Sequence, residues 1–320
     1  MPYFARISLS RKDAAVLALV ALFLASYYAF AAPAAFVPGT TVRVSYGTSL
    51  PEIAQQLATA HVVRHPALLR AALRLSGESG SLQTGVYRFN APQNLFLVAY
   101  RLVAGDYGLP PVRLTFIEGM TVREAAEQVA STSLSVSADE FISAASGQEG
   151  YLFPDTYFFQ PSADAASIVA MMRKNFDVKI APLAADIRAS GHSLADIVTM
   201  ASLVEKEART TADRRMVAGI LWNRIKRGMP LQVDAVFGYI FDRDTYSPSF
   251  ADLKVDSPYN TYTHKGLPPG PICNPGLDAI EAALNPAHTS DLYYLTGKDG
   301  TMHYATTYAE HQANEHLYLR

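Results

Sequence analysis

The sequence predicts an α+β protein with three parts: an N-terminal transmembrane helix, a small α+β module, and an α-rich domain with short strands. Three observations support this prediction. Residues 14–36 form an uncharged, mostly apolar run. The rest of the chain alternates short strand-like segments with segments whose apolar residues recur at helical spacing. Gly and Pro separate these segments, and 320 residues suffice for two or three compact domains.

The apolar run is long enough to span a hydrocarbon core of about 30 Å as a helix. Arg6, Arg11 and Lys12 precede it, so the positive-inside rule predicts residues 1–13 in the cytoplasm and the chain after 36 on the outer side of the membrane. A cleaved signal peptide is the alternative, because small residues near the end of the run could form a cleavage site. The run is longer than a usual signal core, which favours a retained single-pass anchor.

Residues 41–110 are predicted to form the small module. Strand patterns at 41–46 and 85–89 enclose helical patterns at 49–60 and 66–75. A strand, two helices and a strand in so short a segment resemble the order in LysM-like carbohydrate-binding modules, an analogy at the level of the fold.

The chain then passes into the larger domain, predicted at 111–320. A helix is expected at 92–104 and a strand at 112–117, and Thr121 with Glu124 predicts the capping box of a further helix. Residues 149–157, Glu-Gly-Tyr-Leu-Phe-Pro-Asp-Thr-Tyr, interrupt the helical pattern with aromatic side chains around Gly and Pro. This segment is either an aromatic turn of the core or the sugar-stacking edge of a cleft.

The second half is predicted to be rich in helices. They are expected at 163–176, 182–190, 193–208, 212–227, 276–284 and 307–317, with a hairpin of strands at 291–296 and 302–306. A long, mostly irregular stretch at 231–276 is stiffened by prolines and carries Tyr and Asn side chains. Such stretches are usually functional or mobile, and this composition suits a glycan-binding groove.

One carboxylate lies among apolar residues of the helix predicted from Ser193. At about 100° per residue, Glu205 lies within the arc of Leu194, Val198 and Val204, whereas Glu207 lies about 200° further round. Burial would raise the pKa of the Glu205 carboxyl, as a general acid requires near neutral pH. The alternative is a structural glutamate paired with an arginine or capping a neighbouring helix.

Composition argues against several other classes of function. A net charge of -2 gives no basic field for nucleic acid. The single Cys273 cannot form an internal disulfide, and His264, His288 and His303 lack metal-ligand spacing. The sequence has no Gly-rich phosphate loop and no Gly-x-Ser-x-Gly elbow, so neither a cofactor nor a metal is predicted.

Several ordered motifs together resemble the YceG-like family of membrane-bound endolytic murein transglycosylases. They are the segments at 149–157, 201–207 (Ala-Ser-Leu-Val-Glu-Lys-Glu), 223–224, 231–234 (Leu-Gln-Val-Asp), 259–262 (Tyr-Asn-Thr-Tyr) and 266–272 (Gly-Leu-Pro-Pro-Gly-Pro-Ile). The resemblance implies cleavage of the β-1,4 bond between N-acetylmuramic acid and N-acetylglucosamine inside peptidoglycan strands, leaving 1,6-anhydro ends. It also implies an inner-membrane protein with its catalytic domain in the periplasm, and peptidoglycan synthases as candidate partners.

The resemblance further implies roles for individual residues. Glu205 would be the catalytic acid, first protonating the glycosidic oxygen and then accepting the proton of the sugar 6-hydroxyl. The predicted substrate-binding residues are Gln232, Asp234, Tyr259, Asn260, Tyr262, Glu149 and Tyr157. Two alternatives stay open: a peptidoglycan hydrolase that uses Asp234 as a second carboxylate, and a non-enzymatic peptidoglycan-binding scaffold.

Overall fold

A computed structural model describes residues 11–45, 47–78, 80–243 and 248–319. The chain forms two compact units: a smaller unit of residues 1–112 with 160–163, and a larger unit of residues 113–159 and 164–320. Helices combined with small two-stranded sheets confirm the predicted α+β class. Most of the segment predicted to be cytoplasmic, residues 1–10, lies outside the described residues.

The described residues of the smaller unit form four helices and one sheet. Its elements are α1 (Arg11–Phe30), β1 (Thr40–Val44), α2 (Leu50–Thr59), α3 (Pro66–Leu75), β2 (Gly85–Phe89) and α4 (Leu95–Ala104). Within α1, Lys12–Phe30 is long and apolar enough to cross a membrane. The helix ends at Phe30 rather than at residue 36, since Pro33 lies just beyond and disfavours helical backbone in the residue before it.

The core of the smaller unit forms where β1 and β2 pair. The strands are antiparallel, with Val42 opposite Tyr87, and both side chains are buried. Helices α2, α3 and α4 contribute buried leucines to the same core, among them Leu57, Leu69 and Leu102. The predicted strand–helix–helix–strand order is therefore confirmed as secondary structure.

The described residues of the larger unit form the remaining α-helices and two small sheets, and one strand begins at Val112, the residue that precedes this unit. Its elements are β3 (Val112–Thr115), α5 (Val122–Ala130), α6 (Ala138–Ala144), β4 (Thr156–Phe159), α7 (Ala165–Ile180), α8 (Ala184–Ser190), α9 (Leu194–Glu207), α10 (Thr211–Lys226), α11 (Ala235–Phe241), α12 (Leu277–Leu284), β5 (Tyr293–Thr296), β6 (Met302–Ala305) and α13 (Tyr308–Tyr318). Strands β3 and β4 form one sheet and β5 and β6 the other. The stretch at 231–276 is largely irregular, as predicted, but it includes the short helix α11.

Helix α9 forms the centre of the larger unit. The Ser193 side chain accepts a hydrogen bond from the Asp196 backbone, and the Asp196 carboxylate bonds back to Ser193, so a capping box begins the helix. All eight residues from 197 to 204 are buried, because α9 packs against α10, α11 and α12. The helix therefore has no solvent-exposed face along these two turns, and only its two ends reach the surface, with Ala195 exposed near the start and Lys206 near the end.

Candidate active site

A cavity of about 930 Å³ opens in the larger unit beside the end of α9. The beginning of α5, the last residues of α9 and the helix α11 form its walls. Six carboxyl groups line it, from Glu124, Glu127, Glu149, Glu207, Asp234 and Asp242, together with the phenol of Tyr239 and the ammonium group of Lys206. The described residues include no group of three or more His, Cys, Asp and Glu side chains arranged to hold a metal ion.

Glu207 is the last residue of α9, and its side chain contributes to the cavity wall. Its Oε2 accepts a hydrogen bond of 3.0 Å from the hydroxyl of Tyr294. Burial raises the pKa of Glu207 to about 7, and the nearby charge of Asp234 acts in the same direction. The hydrogen bonds from Tyr294 and from the backbone of Ala235 oppose this rise. Near neutral pH, Glu207 can therefore exist both as an acid and as a carboxylate.

Asp234 directly precedes α11 and lies on the same cavity. Its Oδ1 accepts a hydrogen bond of 2.5 Å from the hydroxyl of Tyr262, whose ring packs against Phe237. Burial raises the pKa of the Tyr262 phenol, and so does its bond to Asp234, so Tyr262 remains a donor. This contact fixes the orientation of the Asp234 carboxylate.

The turn before Asp234 is held by Arg224. Gln232 adopts a left-handed backbone conformation with φ of 52°, which is uncommon for a residue other than glycine. Arg224 Nη1 donates to the Leu231 carbonyl at 2.8 Å and to Gln232 Oε1 at 3.2 Å. Gln232 is not among the residues that line the cavity, and its amide oxygen serves to hold the turn.

Glu149 lies on another wall of the cavity. Both of its carboxylate oxygens are 3.1 Å from the backbone nitrogen of Val122, the first residue of α5, and Asn274 Nδ2 donates to Oε1 at 3.3 Å. Burial nevertheless raises the pKa of Glu149 to about 7. The next residue, Gly150, has φ of 85°, and a Cβ there would lie 2.4 Å from the side chain of Pro271. Glycine is therefore required for the chain to pass this point.

Glu205 lies in a different environment and is not among the residues that line the cavity. It forms an ion pair with Arg214, which also binds Asp278 at 2.7 Å, and its Oε2 accepts a bond of 2.9 Å from the Gly276 backbone. Burial raises the pKa of Glu205, while the Gly276 bond and the charge of Arg214 oppose the rise. Only 5% of its side chain is exposed. This geometry matches the alternative of a structural glutamate paired with an arginine.

Three further residues of the predicted site make contacts with other residues of the protein. The Tyr157 hydroxyl donates to the Phe153 carbonyl at 2.6 Å, and its ring lies in the core. Asn260 is fully buried, and Tyr259 packs against Tyr239 with ring centroids 5.0 Å apart. None of the three lines the cavity. Of the predicted set, the structure brings Glu149 and Asp234 to the cavity, with Tyr262 bound to Asp234.

The site residues predicted from the sequence do not include Glu207 and Tyr239, which line the cavity, or Tyr294, which binds Glu207. The arc that selected Glu205 separates an apolar side of α9 from a polar side, but other elements cover every side of the helix from residue 197 to 204. A different signal does point to Glu207: it is a carboxylate at the C-terminal end of a helix, where the helix dipole disfavours negative charge. Tyr294 comes from a distant strand and gives no local signal.

Comparisons with known proteins agree with this architecture. Residues 42–316 match the sequence model of the YceG-like family. A protein of Bacillus subtilis named endolytic murein transglycosylase is 30% identical over 88% of this chain and 85% of its own length. One of the same name from Streptococcus pneumoniae is 30% identical over 87% of this chain, which spans 58% of that protein. A crystal structure of a yceG-like protein from Listeria monocytogenes has a TM-score of 0.59 at 29% identity, covering 85% of this chain and 98% of its own.

These relatives, which match most of the chain, define the class of the protein as a lytic transglycosylase, which is a lyase. Since the family match covers 42–316 of 320 residues, the chain belongs to the YceG-like family.

Proposed function

We propose that this enzyme cleaves the β-1,4 bond between N-acetylmuramic acid and N-acetylglucosamine inside peptidoglycan strands, with Glu207 as its general acid and base. The observation that carries the proposal is the position of Glu207: it lines the cavity, and its pKa is raised to about 7. Such a group holds a proton at neutral pH and can also release it.

The reaction then needs one carboxyl group and no water. Protonated Glu207 donates its proton to the glycosidic oxygen as the bond from that oxygen to the anomeric carbon breaks. The 6-hydroxyl oxygen of the same muramic acid residue bonds to the anomeric carbon and gives its proton to the Glu207 carboxylate. The product is a 1,6-anhydro end, and Glu207 returns to its protonated form.

Glu207 replaces Glu205 in this proposal for two reasons. The Glu205 carboxylate is already bound to the Arg214 guanidinium and the Gly276 amide, so it has no free access to a substrate oxygen. Glu207 has a phenol as its side-chain partner and lies on the cavity. Asp234 is proposed to hold substrate and to help keep Glu207 protonated, with Tyr262 orienting it.

The other parts of the chain have proposed roles that agree with this substrate. Helix α1 is proposed to anchor the protein once in the inner membrane, with its N-terminus in the cytoplasm and the larger, catalytic unit in the periplasm. The order of elements and the antiparallel pairing of β1 with β2 support a LysM-like peptidoglycan-binding role for residues 41–110. Peptidoglycan synthases are candidate partners of an enzyme held at this surface.

Two other functions predict different products. A hydrolase would need a second carboxylate to attack or to activate water, and the presence of Asp234 on the same cavity as Glu207 is what favours this candidate. It would leave reducing ends. A non-enzymatic scaffold would leave the glycan strand intact.

The test is mass spectrometry of muropeptides released from purified sacculi by the full chain in detergent. Wild type, Glu207→Gln and Glu205→Gln are compared at equal amounts of folded protein. The proposal expects internal anhydro ends from wild type and Glu205→Gln, and none from Glu207→Gln. Reducing ends would instead establish hydrolysis, and full activity of Glu207→Gln would remove Glu207 from the mechanism.

A further inference from the structure

Helix α4 in the smaller unit has an unusual distribution of residues. Its outward side carries Phe96, Leu97 and Tyr100, whose exposed fractions are 56%, 42% and 64%. Its inward side carries Leu95, Val98 and Leu102, which are buried, as in any surface helix. A helix that is apolar on both sides normally lies inside a protein or in contact with lipid.

The single charged residue of α4 points into the protein. Arg101 is 2% exposed and donates to the carbonyls of Asp106 at 2.9 Å and Arg88 at 2.8 Å, and to the side chain of Gln93 at 3.0 Å. Its guanidinium also lies 4.5 Å from the ring centroid of Phe89. No charged side chain therefore interrupts the outer face of α4.

Helix α2 of the same unit shows the ordinary pattern. Its buried residues are Ile53, Ala54 and Leu57, and its exposed face carries Gln55 and Gln56. The apolar outer face is thus a property of α4 and not of every helix of the smaller unit. We name the surface formed by Phe96, Leu97 and Tyr100 the α4 face.

The α4 face begins where the membrane helix ends. Phe30 is the last residue of α1, and its ring centroid lies 4.9 Å from that of Phe96. The connection after α1 is fixed by Arg64, which donates to the Ala32 carbonyl at 2.9 Å and lies 3.8 Å from the ring centroid of Tyr28. A crevice of about 620 Å³ lies beside this contact and is lined by Phe23, Tyr27 and Phe96 among others.

This position corresponds to the interfacial depth of a bilayer. The 19 residues of Lys12–Phe30 span about 28 Å as a helix, which is close to the hydrocarbon thickness of about 30 Å. Phe30 and its neighbour Phe96 then lie at the boundary between the headgroups and the acyl chains, where interfacial helices bury Trp, Phe and Leu side chains. An apolar helix face beside this level gains free energy when it enters the boundary between headgroups and acyl chains.

We propose that the α4 face is a second membrane contact, which lies in the outer leaflet and holds the smaller unit against the bilayer beside α1. The occupant is bilayer lipid, whose acyl chains would also fill the crevice between α1 and α4. The proposal rests on the proposed anchoring by α1 and is independent of the chemistry proposed for Glu207.

Site-directed spin labelling of the full chain in liposomes tests this contact. The native Cys273 is fully buried, and burial raises the pKa of its thiol, so an introduced surface cysteine can be labelled selectively. Leu97→Cys and Tyr100→Cys report on the α4 face, and Gln56→Cys on exposed α2 is the matched control. Leu19→Cys in α1 reports on the anchor. Thermal unfolding confirms that each variant is folded.

The measured quantity is the collision rate of the label with oxygen, which concentrates in lipid, relative to that with a water-soluble nickel chelate. We expect this ratio at 97 and 100 to be several-fold higher than at 56 and to approach the ratio at 19. A ratio at 97 and 100 equal to that at 56 would overturn the proposal, as would shielding from both reagents, which indicates protein contact. If the label at residue 19 also collides freely with the nickel chelate, α1 is not inserted in the bilayer, and both the proposed anchor and the proposed contact of the α4 face are overturned.

Discussion

Arg214 connects Glu205 to the end of α9. One of its guanidinium nitrogens pairs with the Glu205 carboxylate, and its Nε donates to the carbonyl of Ala208 at 3.2 Å. Ala208 directly follows Glu207, so the ion pair holds the backbone at the point where the proposed acid leaves the helix. The first glutamate of the Val-Glu-Lys-Glu motif thereby supports the second.

We expect substitutions of the two glutamates to separate stability from activity. Glu205→Gln should lower the free energy of unfolding by about 1–3 kcal/mol, because Arg214 loses a buried counter-charge but keeps Asp278. Its rate of anhydro-muropeptide release should remain within about tenfold of wild type. Glu207→Gln should lose about 100- to 10,000-fold in rate without a comparable loss of stability. The opposite pattern would return the role of acid to Glu205.

Asp234→Asn should shift the alkaline limb of the pH–rate profile to lower pH. The negative charge of Asp234 raises the pKa of Glu207, so its removal lets Glu207 lose its proton at lower pH. Activity should therefore survive in mildly acidic buffer and decline earlier as pH rises. Asp242→Asn is the matched control, since Asp242 also lines the cavity but pairs with Arg123 at 2.9 Å. Loss of turnover at every pH in Asp234→Asn alone would favour the two-carboxylate hydrolase.

Tyr294→Phe should shift the alkaline limb of the pH–rate profile to higher pH. The Tyr294 hydroxyl donates to Glu207 and stabilises its charged form, so the variant should raise the pKa of Glu207 and extend activity to higher pH. Tyr293→Phe is the matched control, because the neighbouring ring packs against Tyr308 instead. An alkaline limb that moves to lower pH in Tyr294→Phe would contradict the assignment of this limb to Glu207.

The sequence is most informative where structure depends on neighbours along the chain. The start of α9 follows from Ser193, and its end from the Thr-rich break after 208, because caps and breaks act within one turn. The cavity could not be predicted in this way. It brings together residues near 122, 149, 207 and 234, and only tertiary packing determines which faces of α9 are covered.

The pH dependence of stability should reveal the protonation state of Glu207. Its pKa in the native state, about 7, exceeds the ordinary value of 4.5, so the native protein binds this proton more tightly than the unfolded chain. The stabilisation is fully present below about pH 4.5 and is lost as pH rises through 7. Glutamine does not titrate, so Glu207→Gln should gain about 1–3 kcal/mol relative to wild type between about pH 5 and pH 8. Denaturant unfolding at both pH values measures this difference. The contribution of Glu149 to the pH dependence cancels, because Glu149 titrates in both proteins. If the difference in unfolding free energy between Glu207→Gln and wild type is the same at both pH values, the native pKa of Glu207 lies near its ordinary value.

Asn260→Ala should weaken the fold and leave substrate affinity unchanged. The Asn260 amide donates to the carbonyls of Leu253 at 3.1 Å and Val255 at 2.9 Å, and its oxygen accepts from the Tyr262 backbone at 2.9 Å. Removal of these bonds leaves buried polar groups without partners, at a cost of about 1–3 kcal/mol in unfolding free energy. A sugar-binding asparagine would show the reverse: a raised KM with little change in stability. An asparagine in an irregular loop can bind either an N-acetyl group of the substrate or the backbone of the loop itself. Measuring both the unfolding free energy and KM on sacculi therefore decides whether Asn260 has a structural or a sugar-binding role.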